Sequence, residues 1–281
     1  MNVSHDIGTA LTRRALLAAG AIGLASFALS PALAEPSMPE VDALTLQILD
    51  DNAVFGPFLP DLALPGLQVV RHTGAAPGGT MSAHALQGEF GLSILASSHR
   101  NGAPARVLVD FGYSPETVRN NLALLEVEFS TLDAAVLSHG HLDHYGGYSA
   151  FLEGTARRVP LYVGGEETFC ERVALIGNPP PIMGTLDRAA LAKAGFDVRI
   201  ASTPQVIKGQ AFTTGTIPLA SFERAAIPTQ MRPGKGCDRA GLNPASGTRR
   251  CFPTTASMSW PLAMWSRGSG WWCSHRAATA A

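Results

Sequence analysis

Residues 137 to 147 read Leu137-Ser138-His139-Gly140-His141-Leu142-Asp143-His144-Tyr145-Gly146-Gly147, and they place three histidines and a carboxylate within six positions. The preceding Ala134-Ala135-Val136-Leu137 is apolar and short, as a buried strand is, and Gly146-Gly147 lets the chain turn tightly into whatever follows. The histidines therefore sit on a strand-end loop. Neutral imidazole and carboxylate are the ligands a borderline cation such as Zn²⁺ prefers, and this close spacing lets one loop serve two adjacent ions. The competing reading, solvated loop histidines, leaves the order His-x-His-x-Asp-His before Gly-Gly to chance.

At 281 residues the chain has room for one large domain or two small ones, and a single catalytic domain over residues 35–245 is the simpler arrangement. A net charge of −1 gives no basic groove for nucleic acid. The N-terminus carries Thr12-Arg13-Arg14-Ala15-Leu16-Leu17, a small-residue and apolar run to Leu29, and Ala32-Leu33-Ala34 before Glu35-Pro36. Residues 1–34 thus read as a bacterial export signal with a twin-arginine pair and an Ala-x-Ala cleavage site. This predicts passage through the twin-arginine export machinery and a periplasmic or secreted product, free of the membrane after cleavage. The alternative, a membrane anchor, needs about twenty apolar residues and no cleavage site. Export favours disulfides, yet Cys170, Cys237, Cys251 and Cys273 show no paired metal spacing.

Along the mature chain, Ala43 to Asp50 alternates apolar and polar residues as a half-buried strand, and Asp50-Asp51-Asn52 suits its terminal turn. Segments 88–96 and 106–112 read as a hairpin joined through Arg100-Asn101-Gly102. A helix is expected from Ser114 to Leu125, a second begins at Tyr148–Leu152, and a third spans Asp187 to Ala194, with a strand at 159–163.

The histidine run and this element order resemble the metallo-β-lactamase superfamily. The resemblance implies an α/β fold, the αββα metallo-β-lactamase-type sandwich, with metals at one edge of two facing sheets. It implies that His139 and His141 bind a first metal, that Asp143 and His144 bind a second, and that Asp143 helps orient a metal-activated water. The expected cofactor is Zn²⁺, with two sites in the family and other divalent metals open. Asp110 matches the family's strand-end acid that supports the histidine loop from behind, the alternative being an ordinary turn acid. The Asp-Asn start and the segment Ala211-Phe212-Thr213-Thr214-Gly215 narrow the resemblance to ribofuranosylaminobenzene phosphate synthase-like proteins. Where that branch often has Glu after Thr-Thr-Gly, this chain has Thr216. His72, His84 and His99 lie outside any ligand spacing and are read as surface or core-edge residues. His84 is the exception to test, because the Gly-rich 73–82 loop could fold over the site.

From Ser246 onward the text changes. Residues 246–281 hold all four tryptophans and show neither helix nor strand period, so the second half of the sandwich reads as incomplete. A reading frame one nucleotide upstream, applied from Cys251, permits an acid-capped helix, a glycine turn, a buried strand and a Cys-Ser-His strand end. That string resembles what the branch carries there. The tail is thus expected to be out of frame after a shift between Pro244 and Cys251, with its tryptophans partly exposed; a genuine unusual tail is the competing reading. Ligand roles are not carried onto Cys273 or His275.

Three functions follow. The first is a metal-dependent hydrolase or transferase that turns a metal-activated water on a small anionic or heterocyclic substrate. The second is a noncatalytic truncated product binding one metal at most. A lactamase proper is disfavoured because no histidine occurs between Gly147 and Gly215.

Overall fold

The computed structural model describes residues 38–52, 61–71, 83–151, 157–217 and 229–242, together with the backbone of 262–263 and 265–266. The expected signal peptide at 1–34, the 73–82 loop, His72, Cys251, Cys273 and nearly all of the tail lie outside the described residues, as do the side chains of Trp260, Trp265, Trp271 and Trp272. Among the described residues no helix is long and apolar enough to cross a membrane.

Strands β1 (Glu40–Val41) and β2 (Ala43–Asp50) open the unit, and β3 (Leu62–Leu64) with β4 (Leu67–Val69) makes a separate hairpin. β5 (Ser93–Arg100) and β6 (Ala103–Val109) form the expected hairpin. Its turn residues Asn101 and Gly102 both have positive φ, 52° and 79°, the pairing whose twist matches the flanking strands. Helix α1 (Pro115–Leu124) starts where expected, with the Ser114 side chain accepting from the Thr117 N–H and Pro115 at the first helical position. After β7 (Ala134–Val136) come the single-turn helix α2 (Leu142–Tyr145) and a 3₁₀ turn over Gly146–Phe151. Then follow β8 (Val159–Val163), β9 (Glu171–Ala174), β10 (Ile182–Gly184), α3 (Arg188–Lys193) and β11 (Phe196–Ile200). β12 (Gln205–Ile207), β13 (Ala211–Thr213) and β14 (Thr229–Arg232) complete the well-described strands.

Six strands form one mixed sheet in the order β11-β8-β7-β6-β5-β2. The four strands from β6 to β11 run parallel, joined by crossovers through α1, the histidine loop and α3. Alternation along β6 sends Leu108 to one face and Val107 and Val109 to the other. On the Leu108 face, Leu95, Ala135 and Leu161 pack with Val118 and Leu122 of α1 and Leu191 of α3, around edge-on rings of Phe111, Phe129, Phe151 and Phe196. On the opposite face, Ala96, Val107, Val109, Val136 and Tyr162 meet Ile207 and Ala211 of β12 and β13. The architecture is α/β, with helices on one face and the start of a second sheet on the other.

That second sheet is short. β13 pairs with β12, and the backbone of Leu262–Ala263 (β15) adds two residues beside Phe212 and Thr213. Trp265–Ser266 (β16) runs parallel to β1. Leu44 reaches the Ile207 cluster, but Leu46 and Ile48 on the same strand stay exposed. A bulge between Ile48 and Asp50 turns Leu49 into the helix-side core.

Two expectations need correction. Residues 88–92 are a loop rather than the start of the hairpin strand, because Glu89 accepts from the Ser114 N–H and hydroxyl while Gly91 is pressed against Tyr113 and Asp50. The helix expected from Tyr148 is instead the end of the 3₁₀ turn, and residues 152–156 lie outside the described residues.

A further antiparallel sheet, β10-β9-β14, stands apart from the large one. The sequence left the cysteine pairing open; the structure joins Cys170, just before β9, to Cys237, just after β14, with Cα atoms 4.7 Å apart. The bond spans a separation of 67 residues, for which the chain-entropy account gives roughly 4 kcal/mol of stabilisation. Replacing both cysteines with serine is expected to lower the urea midpoint of the purified chain. An unchanged midpoint, with the native thiols titrating as free, would show that the bond does not form.

Candidate functional site

The histidines lie where β6 and β7 end, at the carboxyl edge of parallel strands, where ligands bind in open α/β sheets. Asp110, directly after β6, is fully buried and held at φ 59°, a conformation short polar side chains tolerate better than most. Its Oδ1 accepts from the Ser138 backbone N–H at 2.7 Å and its Oδ2 from the Ser138 hydroxyl at 2.7 Å. The same Oδ2 lies 2.7 Å from His144 Nδ1. His141 begins α2, its carbonyl accepting from the N–H groups of His144 and Tyr145. Gly146 and Gly147 press directly on the carbonyls of Tyr113 and Phe111, so a side chain at either would collide with backbone. That close approach is what the Gly-Gly pair provides.

The polar atoms form one continuous chain. Thr229 Oγ1 lies 3.1 Å from His141 Nε2, His141 Nδ1 3.0 Å from His139 Nε2, and His139 Nδ1 3.0 Å from Ser138 Oγ. Beyond Asp110, His144 Nε2 lies 3.3 Å from Asp143 Oδ2. Proton directions follow from counting donors. The single Ser138 proton goes to Asp110, so His139 donates from Nδ1 and accepts at Nε2. His141 then donates from Nδ1 and accepts the Thr229 proton at Nε2. His144, between two carboxylates, donates from both nitrogens.

The electrostatics agree with this assignment. Burial, reinforced by the charges of His144, His141 and Arg172, holds His139 well below the ordinary histidine range. Burial and then Arg172 push His141 down to about 3. For His144 burial acts in the same downward sense, but the Asp110 and Asp143 carboxylates outweigh it and raise the imidazole to about 10. Burial raises Asp143, and hydrogen bonding and charge from His144 outweigh it, so the carboxyl ends below its usual value.

Among the described residues no group of three or more His, Cys, Asp and Glu is arranged to hold a metal ion, because each ring nitrogen already faces a protein partner. The donor chemistry nonetheless fits a divalent cation. His139 and His141 are neutral with their lone pairs on Nε2, and Asp110 fixes the Nδ1–H of His144 in the manner of a carboxylate behind a metal-ligating histidine. A cation would take the lone pairs now filled by the His141 N–H and the Thr229 hydroxyl.

The structure thus brings His139, His141 and His144 together, with ring centroids 4.5 and 4.2 Å from that of His139, and sets Asp143 against His144. Asp110 underlies the loop as the sequence suggested. His84 and His99 are exposed. Ser138, Thr229 and Arg172 were not foreseen. Arg172 stands next to Glu171, so the pair reads as an ordinary charged surface position and gave no signal of burial. Asp50 is a further surprise. It is buried beside Gly91 and Gly112, and burial followed by the Glu89 charge raises it to about 6 against the lowering pull of the backbone at Tyr113, Glu89 and Asp51.

Residues 104–168, from β6 through the histidine loop to the turn after β8, match the family model of the metallo-beta-lactamase superfamily. Over 74 residues the chain is 31% identical to 7,8-dihydropterin-6-methyl-4-(beta-D-ribofuranosyl)-aminobenzene-5'-phosphate synthase of Methanocaldococcus jannaschii. That match covers 26% of this chain and 25% of the synthase, so the chain spans about a quarter of the length of this curated relative. Among solved structures, an N-acyl homoserine lactone hydrolase is 12% identical, with 81% of this chain and 72% of that one covered and a TM-score of 0.37. The Rm3 metallo-beta-lactamase is 14% identical, covering 64% and 52%, with a TM-score of 0.32.

The His144 and Asp143 shifts give the metal-free chain a pH signature. A histidine raised from 6.5 to about 10 contributes stability that is fully present below pH 6.5 and lost as pH rises through 10. A depressed Asp143 contributes stability present above 3.8 and lost as pH falls below it. The urea midpoint of chelator-treated protein is therefore expected to fall between pH 7 and pH 10, and Asp110→Asn should flatten that slope. A slope equally steep in the variant would contradict the pairing.

Proposed function

We propose that the histidine loop holds a zinc-class divalent ion and that the protein is a metal-dependent hydrolase or transferase acting on a small anionic or heterocyclic substrate. The observation that carries this reading is the uniform tautomer assigned to His139 and His141, both protonated at Nδ1 with the lone pair on Nε2, over an Asp110 that holds the Nδ1–H of His144. His139 and His141 would serve a first ion, and Asp143 and His144 a second. When bound, such an ion supplies Lewis acidity and a water that ionises near neutral pH. Asp110 orients His144 and anchors Ser138. Asp143 accepts a proton or a hydrogen bond at Oδ2, and Thr229 is the hydroxyl nearest His141. The aminobenzene-phosphate chemistry in the name of the Methanocaldococcus jannaschii relative supports an anionic, heterocycle-bearing substrate.

We also infer export by the twin-arginine machinery to the periplasm or beyond, a setting in which the Cys170–Cys237 disulfide persists. A second reading, a noncatalytic chain binding one metal at most, is favoured by the complete engagement of the ring nitrogens with protein partners.

Metal content separates the two. Chain loaded with zinc, desalted and measured by elemental analysis is expected to retain metal stoichiometrically, with His141→Ala losing tenfold or more in affinity, in the range of roughly 10- to 100-fold seen when metal-site partners are removed. Chelator-sensitive hydrolysis of small phosphodiesters or lactones should accompany it. A wild-type chain that retains no zinc, or His141→Ala with undiminished content, would leave the noncatalytic reading standing.

A further inference from the structure

We propose that Arg172 is a positioning residue for the histidine loop, holding its Gly140 peptide from β9 while Asp110 holds Ser138 and His144 from the end of β6; this rests on the metal-centre reading above and extends it to the second half of the chain. Arg172 lies in β9 and is fully buried. Its Nε donates to the carbonyl of Gly140 at 2.8 Å and its Nη2 to the carbonyl of Glu167 at 3.0 Å. Gly140 is the residue between His139 and His141, so the guanidinium binds the peptide group that joins two of the candidate ligands.

Burying a guanidinium is costly unless geometry and hydrogen bonds compensate. Val173 and Ala174, both buried, show that β9 accepts small apolar side chains. An arginine there therefore needs a reason, and its Nε and Nη2 reach carbonyls of two different segments. They belong to segments that meet closely: Gly140 rests on the Thr168 carbonyl with no space for a Cβ, and Thr168 follows Glu167. One side chain thus clips the histidine loop onto the 165–170 turn. The same small sheet sends Thr229, paired in register with Ala174, to His141. Asp110 fixes Ser138 and His144 from β6, and Arg172 fixes the intervening Gly140 from β9.

The full-length chain is compared with Arg172→Met, Arg172→Lys and, as a control for lost packing in the same strand, Val173→Ala. Two readouts are taken: hydrogen exchange of the peptide covering 137–145 in the metal-free chain, and zinc affinity by competition with a chromogenic chelator. Arg172→Met is expected to speed exchange of that peptide about tenfold, the equivalent of one hydrogen bond to a charged group. It should also weaken zinc binding by roughly ten- to a hundredfold. Arg172→Lys keeps the charge but serves one carbonyl at a time, and should fall between. Val173→Ala should lower the melting temperature and leave both readouts at wild-type values. Wild-type exchange in a folded Arg172→Met, or a Val173→Ala that reproduces its exchange and affinity losses, overturns the proposal. If Arg172→Met does not fold, Arg172→Lys decides, with wild-type exchange in that variant overturning it. A wild-type chain that binds no zinc defeats the metal reading alone, since the exchange comparison still decides the role of Arg172.

Discussion

Everything at the histidine loop depends on one buried carboxylate. Asp110 collects the Ser138 N–H, the Ser138 hydroxyl and His144 Nδ1, all at 2.7 Å, in a place with no access to water. A lone buried carboxylate would be expensive, and three charge-assisted donors are what make it tolerable. The same bonds set the proton positions of the neighbouring rings. Because Ser138 spends its single proton on Asp110, His139 must donate to Ser138, and His141 must donate to His139. A backbone choice at the end of β6, a left-handed φ for one short acidic residue, thereby propagates through two side chains to the ring faces that a cation would meet.

This interaction was only partly visible in the sequence. The His-x-His-x-Asp-His run, the apolar strand before it and the Gly-Gly after it are local, and local patterns read well; α1 began at its serine cap and the hairpin turned at Asn101-Gly102, where the sequence placed them. Asp110 could be suggested only through the family resemblance, as the strand-end acid behind the histidine loop. Thr229 could not, since it lies 88 positions from His141 and a lone threonine carries no pattern. Arg172 was not legible either, because beside Glu171 it reads as a surface charge and nothing says which carbonyls it would seek. The early residues of segment 88–96 misled because glycine and phenylalanine fit a strand pattern, whereas the bond from Ser114 to Glu89 belongs to a helix cap in a different part of the chain.

The large sheet and the small second sheet are unequal partners. Val107, Val109, Val136 and Tyr162 have their cover in Ile207 and Ala211, so the centre of that face is dry. Toward the β2 edge the cover ends, and Leu46 and Ile48 face solvent. Exposed apolar residues on an edge strand with unpaired backbone groups are the feature natural sheets usually blunt or cover. Among the described residues, the second sheet covers the face nearest the histidine loop and does not reach Leu46 and Ile48. A fold can hold a site and still be poorly protected against association, because the two depend on different strands.

The opposing charges around the loop explain why the small β10-β9-β14 sheet matters to a site built mainly on the large one. Three imidazoles packed within van der Waals reach repel one another as soon as more than one is protonated. Asp110 and Asp143 stabilise the charge on His144, whereas burial first, with Arg172 adding to it, disfavours charge on His139 and His141. One ring is driven cationic by carboxylates, and two are kept neutral by burial reinforced by neighbouring charges that include the guanidinium. The Cys170–Cys237 bond closes the strands that carry Arg172 and Thr229, two positions from each other's register partners. Asp110 and Ser138, on the large sheet, assign the ring protons; the small sheet adds the Thr229 hydroxyl at His141 Nε2 and the Arg172 charge near the two neutral rings.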